Sequence, residues 1–365
     1  MTDAADWVDE LIGEQAGAWD LSGELPRNLV RELGVKGLLC AQVPAEFGGA
    51  GWTSLENGEF TAHVGSRCSS LRSLMTSQGM AAWAVQRFGD TGQKVEHLSA
   101  LTSGSVAGVA FSESGAGSDL SAMRTRVELD GDDVLVTGSK VWVTGAAYAD
   151  RLVVFGRYGD GAAAVVVPTD APGVTVGRVP DPLGCRAAGH SDVTLDAVRL
   201  PRHHLLGGAG LPLDWLVTSV LTYGRLSVAW GCVGMLRCCL AETTGHTARR
   251  EQFGGPLVEH QLVAGHVADL LTAEQAATRC CEHASRCWDE GSSQLPTAAV
   301  VAKQVAAESA ARGAATAVQL LGSAGSRDGT PVARVYRDAK LMEIIEGSSE
   351  ICRLLLARHA VAVWA

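Results

Sequence analysis

Leu341-Met342-Glu343-Ile344-Ile345-Glu346-Gly347-Ser348-Ser349-Glu350-Ile351 is the stretch on which the reading of this chain turns. It places a glutamate, Glu346, between two helices, with two isoleucines before it and a glycine after it. An apolar wall raises a carboxyl pKa because the charged form loses its water. A carboxylate tuned in that way serves as a general base near neutral pH. Alone, the run fits better an acid that caps the next helical turn. The segments that separate these readings lie upstream.

The 365 residues are enough for a large core and two or three domains. With 47% hydrophobic and 19% charged residues, the composition describes a compact chain with much buried surface rather than a disordered one. The net charge of −10, with Arg249-Arg250 the nearest approach to a basic run, argues against a nucleic-acid partner. Ten cysteines are scattered, without C-x-x-C or zinc spacing. No metal site is expected from them; they read as reduced thiols, most of them small buried residues on helices. The acidic opening Met1-Thr2-Asp3-Ala4-Ala5-Asp6 has no apolar segment of the signal-peptide kind. No run approaches the ~18 apolar residues of a membrane span. The expectation is a cytoplasmic protein without a membrane partner.

Residues 1–105 carry helical spacing, with Leu29, Val30, Leu33, Val35, Leu38 and Leu39 clustered, a Pro/Gly break at 44–51, and a second helical stretch from about Leu55 to Phe88. Between 106 and 208 apolar residues alternate (Val127/Leu129, Val134/Val136, Val141/Val143, Val174/Val176, Val193/Leu195) and turns interrupt them at 130–133, 158–161 and 171–173. That is the period of short antiparallel strands in a small barrel or sandwich. Residues 209–365 return to helices that argue for a bundle. Leu262, Val263, His266, Val267, Leu270 and Leu271 form one apolar stripe there, and Pro296 opens a long helix closed by 322–329. No G-x-G-x-x-G, Walker A, G-x-S-x-G or H-E-x-x-H pattern is present, so a nucleotide cofactor would not sit on a Rossmann fold.

Three segments carry chemistry. In Val109-Ala110-Phe111-Ser112-Glu113-Ser114-Gly115-Ala116-Gly117-Ser118-Asp119 a strand enters a turn of small residues. Its glycines let a ligand approach the backbone and its N–H groups can face a phosphate; a plain tight hairpin is the alternative. In Lys140-Val141-Trp142-Val143-Thr144-Gly145, Trp142 and Thr144 are one strand repeat apart and would share a face. The pair can cover a flat ring and donate to its edge, or be a core tryptophan and an exposed threonine. In Arg249-Arg250-Glu251-Gln252-Phe253-Gly254-Gly255, Arg250 can pair with a diphosphate or lie on a solvated helix end.

These segments, in this order and with this helix–strand–helix plan, resemble the acyl-CoA dehydrogenase family over the whole chain. The resemblance implies an α+β multidomain fold: an N-terminal helical domain (1–105), a middle β-barrel domain (106–208) and a C-terminal four-helix bundle (209–365). It implies FAD as cofactor, a homodimer or homotetramer, and an electron acceptor such as electron-transfer flavoprotein or oxygen. Glu346 matches the catalytic base, which takes an α-proton from an acyl thioester while the β-hydrogen leaves as hydride to the flavin. The place where some branches carry an alternative base is Gly224, and Arg225 beside it matches the arginine that steadies the carboxylate. Phe111, Ser112, Gly117, Ser118, Trp142 and Thr144 match flavin contacts of the β domain. Arg250, Phe253, Gln261, Gln319 and Gly322 match positions that reach FAD in a neighbouring subunit, and Ser348 and Glu350 match contacts beside the base. The chain departs from the family in having Ile345 where tyrosine is frequent, Ser323-Ala324 for Gly-Asn, and Glu350 for glutamine.

The substrate is read from Leu71-Arg72-Ser73-Leu74-Met75-Thr76. In the glutaryl-CoA dehydrogenase branch, arginine and serine in this helix hold a terminal carboxylate. Arg72 and Thr76, with Ser118, are therefore expected to bind a short polar or acidic acyl group, because a guanidinium in an apolar cavity needs an acid or polar partner; an outward-turned Arg72 is the other reading. The chain is also similar to the acyl-carrier-protein-linked members that serve hydroxymalonyl and methoxymalonyl extender units of polyketides. There, hydride could leave C3 of a hydrated 3-oxo group. The alternatives are a catabolic short-chain or glutaryl-type enzyme acting on CoA thioesters, a flavin oxidase of the same fold, and a DNA-associated relative without dehydrogenase activity.

Overall fold

The computed structural model describes residues 2–365. Six helices come first: α1 (Thr2–Ile12), α2 (Ala16–Ser22), α3 (Arg27–Val35), α4 (Ser54–Arg67), α5 (Ser69–Phe88) and α6 (Thr91–Thr102). The starts of α4 and α6 are written locally. Thr53 and Glu56, and Asp90 and Gln93, form reciprocal capping boxes that satisfy otherwise orphaned N–H groups. The helical stretch expected over 55–88 is two helices, because Cys68 adopts an extended conformation between them. Helical periodicity continues across the break, so spacing alone could not reveal it.

Strands β1 (Ala107–Ala110), β2 (Arg126–Asp130), β3 (Asp133–Val143), β4 (Arg151–Tyr158), β5 (Gly161–Pro168), β6 (Val174–Arg178), β7 (Ser191–Pro201) and β8 (Leu205–Leu211) follow. They form one sheet in the order β6-β7-β3-β2-β4-β5-β8, with β1 alongside β4. The pairing is antiparallel except that β1 and β2 run parallel to β4. Val127, Val134, Val136, Val165, Val193 and Val198 build one buried cluster inside the sheet; alternation supplies most of it, and an irregularity at Ala197 (φ 48°) returns Val198 to the face of Val193.

The chain then runs through α7 (Leu213–Arg249), the ribbon β9 (Glu251–Gln252) and β10 (Gly255–Pro256), α8 (Gln261–Asp289), α9 (Leu295–Leu321), α10 (Pro331–Met342) and α11 (Ser349–Trp364). α7, α8 and α9 pack lengthwise, α10 lies on α7 and α9, and α11 rests on α9. By length and hydropathy α7 could cross a membrane, but 83% of its most apolar window is buried within the protein; its apolar residues serve the core. All ten cysteines are unbridged, and all but half-buried Cys280 are buried. The stripe expected on α8 is different. Leu270 is buried, but Leu262 is 85% exposed and His266 and Leu271 also face outward. Within one chain that apolar face has no cover.

The site is positioned by the antiparallel packing of α5 on α7. Their contacts step along both helices: Arg72 lies against Gly231, Thr76 against Ser227, and Met80 against Gly224. Steps of four on α5 meet steps of three and four on α7, so one face of each helix is shared along about two turns, roughly 10 Å.

Candidate active site

Glu346 sits in the turn between α10 and α11 with φ 53°, followed by Gly347 at φ 93°. A left-handed glutamate is uncommon and costs about 1 kcal/mol, so neighbouring structure must hold it. Arg225 Nε of α7 donates to the Glu346 carbonyl oxygen at 3.1 Å, and Lys303 Nζ of α9 donates to the Gly347 carbonyl at 2.7 Å. Ser349 N–H closes the turn onto the Glu343 carbonyl at 2.9 Å. Arg225 was expected to steady the carboxylate; its hydrogen bond goes instead to the backbone carbonyl of the same residue, and it reaches the carboxylate only through its charge.

The turn aims the carboxyl at α7. A Cβ on residue 224 would lie 2.6 Å from Glu346 Oε2 and 2.7 Å from Met80 Sδ, so only glycine leaves room for the acid. Oε2 is closed to solvent and has no hydrogen-bond partner. Burial pushes the carboxyl up to about 7, against the opposing charges of Arg225, Lys303 and Arg72. The wall is not the one expected: Ile344 is 55% exposed and Ile345 half-buried. Residues distant in sequence, from α5 and α7, desolvate the acid.

Arg72 is buried, which removes the outward-turned alternative. Its Nη1 donates to Thr76 Oγ1 at 3.3 Å and its Nη2 approaches Met342 Sδ at 3.0 Å, while Nε has no partner. Neither contact is an acid. A Cβ at Gly231 would meet Nε at 2.7 Å, so glycine again makes the space. Thr76 Oγ1 and Ser227 Oγ are 2.7 Å apart, between Arg72 and the level of Glu346. Behind Ser227, a cavity of about 10 Å³ bounded by Asn57, Tyr223, Trp230 and Trp288 holds one water at most.

Phe111 stacks on Phe155 with ring centroids 4.3 Å apart. Beyond it Glu113 and Ala116 exchange backbone hydrogen bonds in a tight hairpin. A Cβ at Gly115 or Gly117 would meet nothing within 4 Å, and Gly117 and Ser118 face outward. The hairpin is pinned from below. Buried Lys140 Nζ donates to Glu113 Oε1 at 2.8 Å and to the Phe111 carbonyl at 3.0 Å, and Glu113 accepts the N–H groups of Arg124 and Thr125. Burial opposes ionisation of Glu113, yet the hydrogen bonds from Lys140 and these N–H groups hold it well below the usual carboxylate range.

Trp142 and Thr144 do not share a face by strand alternation. Trp142 has φ 56°, the register of β3 on β7 shifts between Lys140 and Val143, and Thr144 lies beyond the strand end. His190 brings them together: Thr144 Oγ1 is 3.2 Å from its Nδ1, and the Trp142 ring centroid is 5.8 Å from the imidazole. Burial pushes His190 down to about 4, with Arg72 adding repulsion, and its Nε2 is buried without a partner. Ser348 caps α11, its Oγ accepting from Ile351 N–H, and Glu350 is exposed on the first turn. Arg250, Phe253, Gln261, Gln319 and Gly322 are all exposed, Phe253 at 97% with φ 53°.

Sequence reading missed Lys303 and His190. Lys303 did carry a signal: it is the sole charge in Ala298-Ala299-Val300-Val301-Ala302-Lys303-Gln304-Val305-Ala306-Ala307. A cation in such a run must find a buried partner. His190 gave none, because Thr144 is distant in sequence.

Three family descriptions cover nearly the whole chain: acyl-CoA dehydrogenase N-terminal domain over 1–105, middle domain over 108–198 and C-terminal domain over 214–361. A probable acyl-CoA dehydrogenase, YngJ of Bacillus subtilis, is 33% identical over 97% of this chain and 95% of its own length. Among solved structures, FkbI, described as serving biosynthesis of the methoxymalonyl extender unit of the polyketide immunosuppressant Fk520, is 62% identical with a TM-score of 0.94, covering 98% of this chain and 99% of that one. A glutaryl-CoA dehydrogenase from Mycobacterium smegmatis is 31% identical with a TM-score of 0.93, covering 100% and 95%.

Proposed function

We propose, from the premise that the chain belongs to the acyl-CoA dehydrogenase family of FAD-dependent oxidoreductases, that it oxidises a short polar acyl thioester on an acyl carrier protein, in supply of hydroxymalonyl or methoxymalonyl units for polyketides. One observation carries the substrate class: a buried guanidinium without an acidic partner, about two helical turns from the base along α5 and α7. The 62% identity with FkbI over 98% of the chain supports the pathway.

The residues present fit the cofactor. The open side of Gly115 and Gly117, the Phe111 ring, the exposed Trp142 and Thr144 would hold the flavin portion of FAD, with Ser348 and Glu350 near the base. Arg250, Phe253, Gln261, Gln319 and Gly322, exposed here, would reach the cofactor of a neighbouring subunit in a homodimer or homotetramer. Bound FAD supplies the hydride acceptor.

Glu346 takes the proton. In an ordinary acyl thioester that proton is on the α-carbon, acidified by the carbonyl; in a hydrated 3-oxo group it is on a C3 hydroxyl, and loss of hydride from C3 leaves a carboxylic acid. Arg72 and Thr76 would bind the polar end of the acyl group, with Ser118 of the hairpin a further substrate contact. Arg72 Nε and Glu346 Oε2 are both buried without hydrogen-bond partners, which supports polar contacts with a substrate at both places.

The test is a panel of glyceryl-derived, glutaryl and butyryl thioesters, on carrier protein and on CoA, with anaerobic flavin bleaching as the readout. Polar three-carbon groups on carrier protein are expected to reduce the flavin fastest. Efficient turnover of long-chain acyl-CoA would overturn the polar-pocket reading. Preference for glutaryl-CoA would favour the second reading, which Arg72 and the likeness to a glutaryl-CoA dehydrogenase also support. Electron-transfer flavoprotein and oxygen are then separated as acceptors by the rate at which each, added afterwards, reoxidises the bleached flavin.

A further inference from the structure

We infer that Lys303 is a positioning residue for the base: its ammonium ties the Gly347 carbonyl and keeps a positive charge beside the Glu346 carboxyl, so that one side chain sets both the direction of the acid and its readiness to ionise. This rests on Glu346 being the base.

Two consecutive left-handed residues, Glu346 and Gly347, turn their carbonyls toward different helices, and each carbonyl is held by its own buried cation. Arg225 comes from α7 and Lys303 from α9, so the turn is fixed from two sides of the bundle. Lys303 is completely buried, and its hydrogen bond goes to a carbonyl rather than to an acid. A neutral donor would satisfy that carbonyl at a smaller desolvation cost. What the ammonium adds is charge, and the carboxyl it acts on is Glu346. The charged and titratable groups facing Glu346 are Arg72 of α5, Arg225 of α7, Lys303 of α9 and, through Gly347, Cys352 of α11, whose Sγ lies 3.5 Å from the Gly347 carbonyl. An arginine keeps its charge at any working pH. Lys303 itself is drawn down from the usual lysine range, chiefly by burial. It is therefore the cation whose own ionisation can respond to the site.

The experiment compares Lys303→Gln, Lys303→Met and Lys303→Arg holoenzymes. Glutamine keeps a donor for Gly347 and removes the charge. Its acid limb of kcat/KM should move up by about one pH unit, the low end of what an adjacent opposite charge does to a carboxylate. Methionine should show the same displacement with a lower plateau, because the Gly347 carbonyl is then orphaned, and it reads the charge effect if the glutamine variant does not fold. Arginine should restore the wild-type limb. In parallel, a carboxyl-13C glutamate label, referenced to Glu346→Gln, follows the ionisation of Glu346 by NMR without turnover. An unmoved acid limb and an unmoved carboxyl titration in both neutral variants overturn the inference. So does an arginine variant shifted as far as glutamine. If wild-type protein oxidises no thioester, the base reading fails, while the carboxyl titration still answers for Lys303.

Discussion

Glu346 is built by opposition: burial raises its carboxyl, three cations lower it, and the balance lies near 7. The acid limb of kcat/KM should therefore lie near pH 7, activity falling below it as the base takes up its proton, measurable in a steady-state pH profile. Glu346→Gln should retain the yellow cofactor and lose about 10²–10⁴-fold or more in the rate of flavin reduction by substrate. The same residue makes a stability prediction. Its folded pKa lies above the ordinary glutamate value of 4.5, so its contribution is complete below that value and is lost as pH rises through about 7. Urea titrations at pH 5 and pH 8 should show Glu346→Gln gaining relative to wild type at the higher pH. Buried His97 and His190 act in the opposite sense. Burial pushes both down to about 4, so their contribution is present above 6.5 and lost as pH falls through 4. Each contributes a slope of at most about 1.4 kcal/mol per pH unit in that window, and His97→Gln should flatten it.

At the scale of elements, the α5–α7 pair is a ruler with the base at one level and a guanidinium at another. Gly224→Ala places a methyl on the Glu346 carboxyl, and a folded protein with little turnover is expected, at a stability cost of about 1–3 kcal/mol by thermal melt. Gly231→Ala instead displaces Arg72. It should raise KM for a polar acyl group while leaving butyryl turnover nearly unchanged, so a comparison of the two substrates isolates the guanidinium. The hairpin after Phe111 depends on the Lys140–Glu113 pair. Lys140→Met strands a buried carboxylate and should cost about 3–5 kcal/mol, with faster release of FAD seen by fluorescence.

At the scale of the whole molecule, the positions that the resemblance assigns to a neighbouring subunit's FAD, Arg250, Phe253, Gln261, Gln319 and Gly322, are exposed, and so are apolar side chains on α8 and α11. Phe253 between β9 and β10, Leu262 on α8, and Leu354, Val361 and Trp364 on α11 are exposed. Separated apolar residues on a surface are ordinary; several together along α8 and α11 are the kind of surface that association would cover. Leu262→Glu should lower the sedimentation mass of the protein and weaken FAD retention together. A variant that dissociates yet holds FAD as tightly as wild type would show that the cofactor site is complete in one chain.

Much of this was legible from residue order. The helix–strand–helix succession follows from apolar periods of 3.6 and 2, and the Gly-rich turn from its composition, while the roles of Glu346 and Arg72 are what the family resemblance implies. The parts that were illegible depend on contacts across many residues. The break at Cys68 does not disturb the helical period. The α8 stripe looks like core until the bundle leaves it outside. The strand alternation that paired Trp142 with Thr144 fails at a bulge, and His190 reunites them. The sequence by itself determined the helix–strand–helix plan and the family to which the chain belongs, because apolar period and short motifs are local properties. Only the tertiary structure decided what desolvates Glu346, which carbonyls Arg225 and Lys303 hold, and that Arg72 is buried without an acid, because burial and charge compensation belong to whichever helices meet in space.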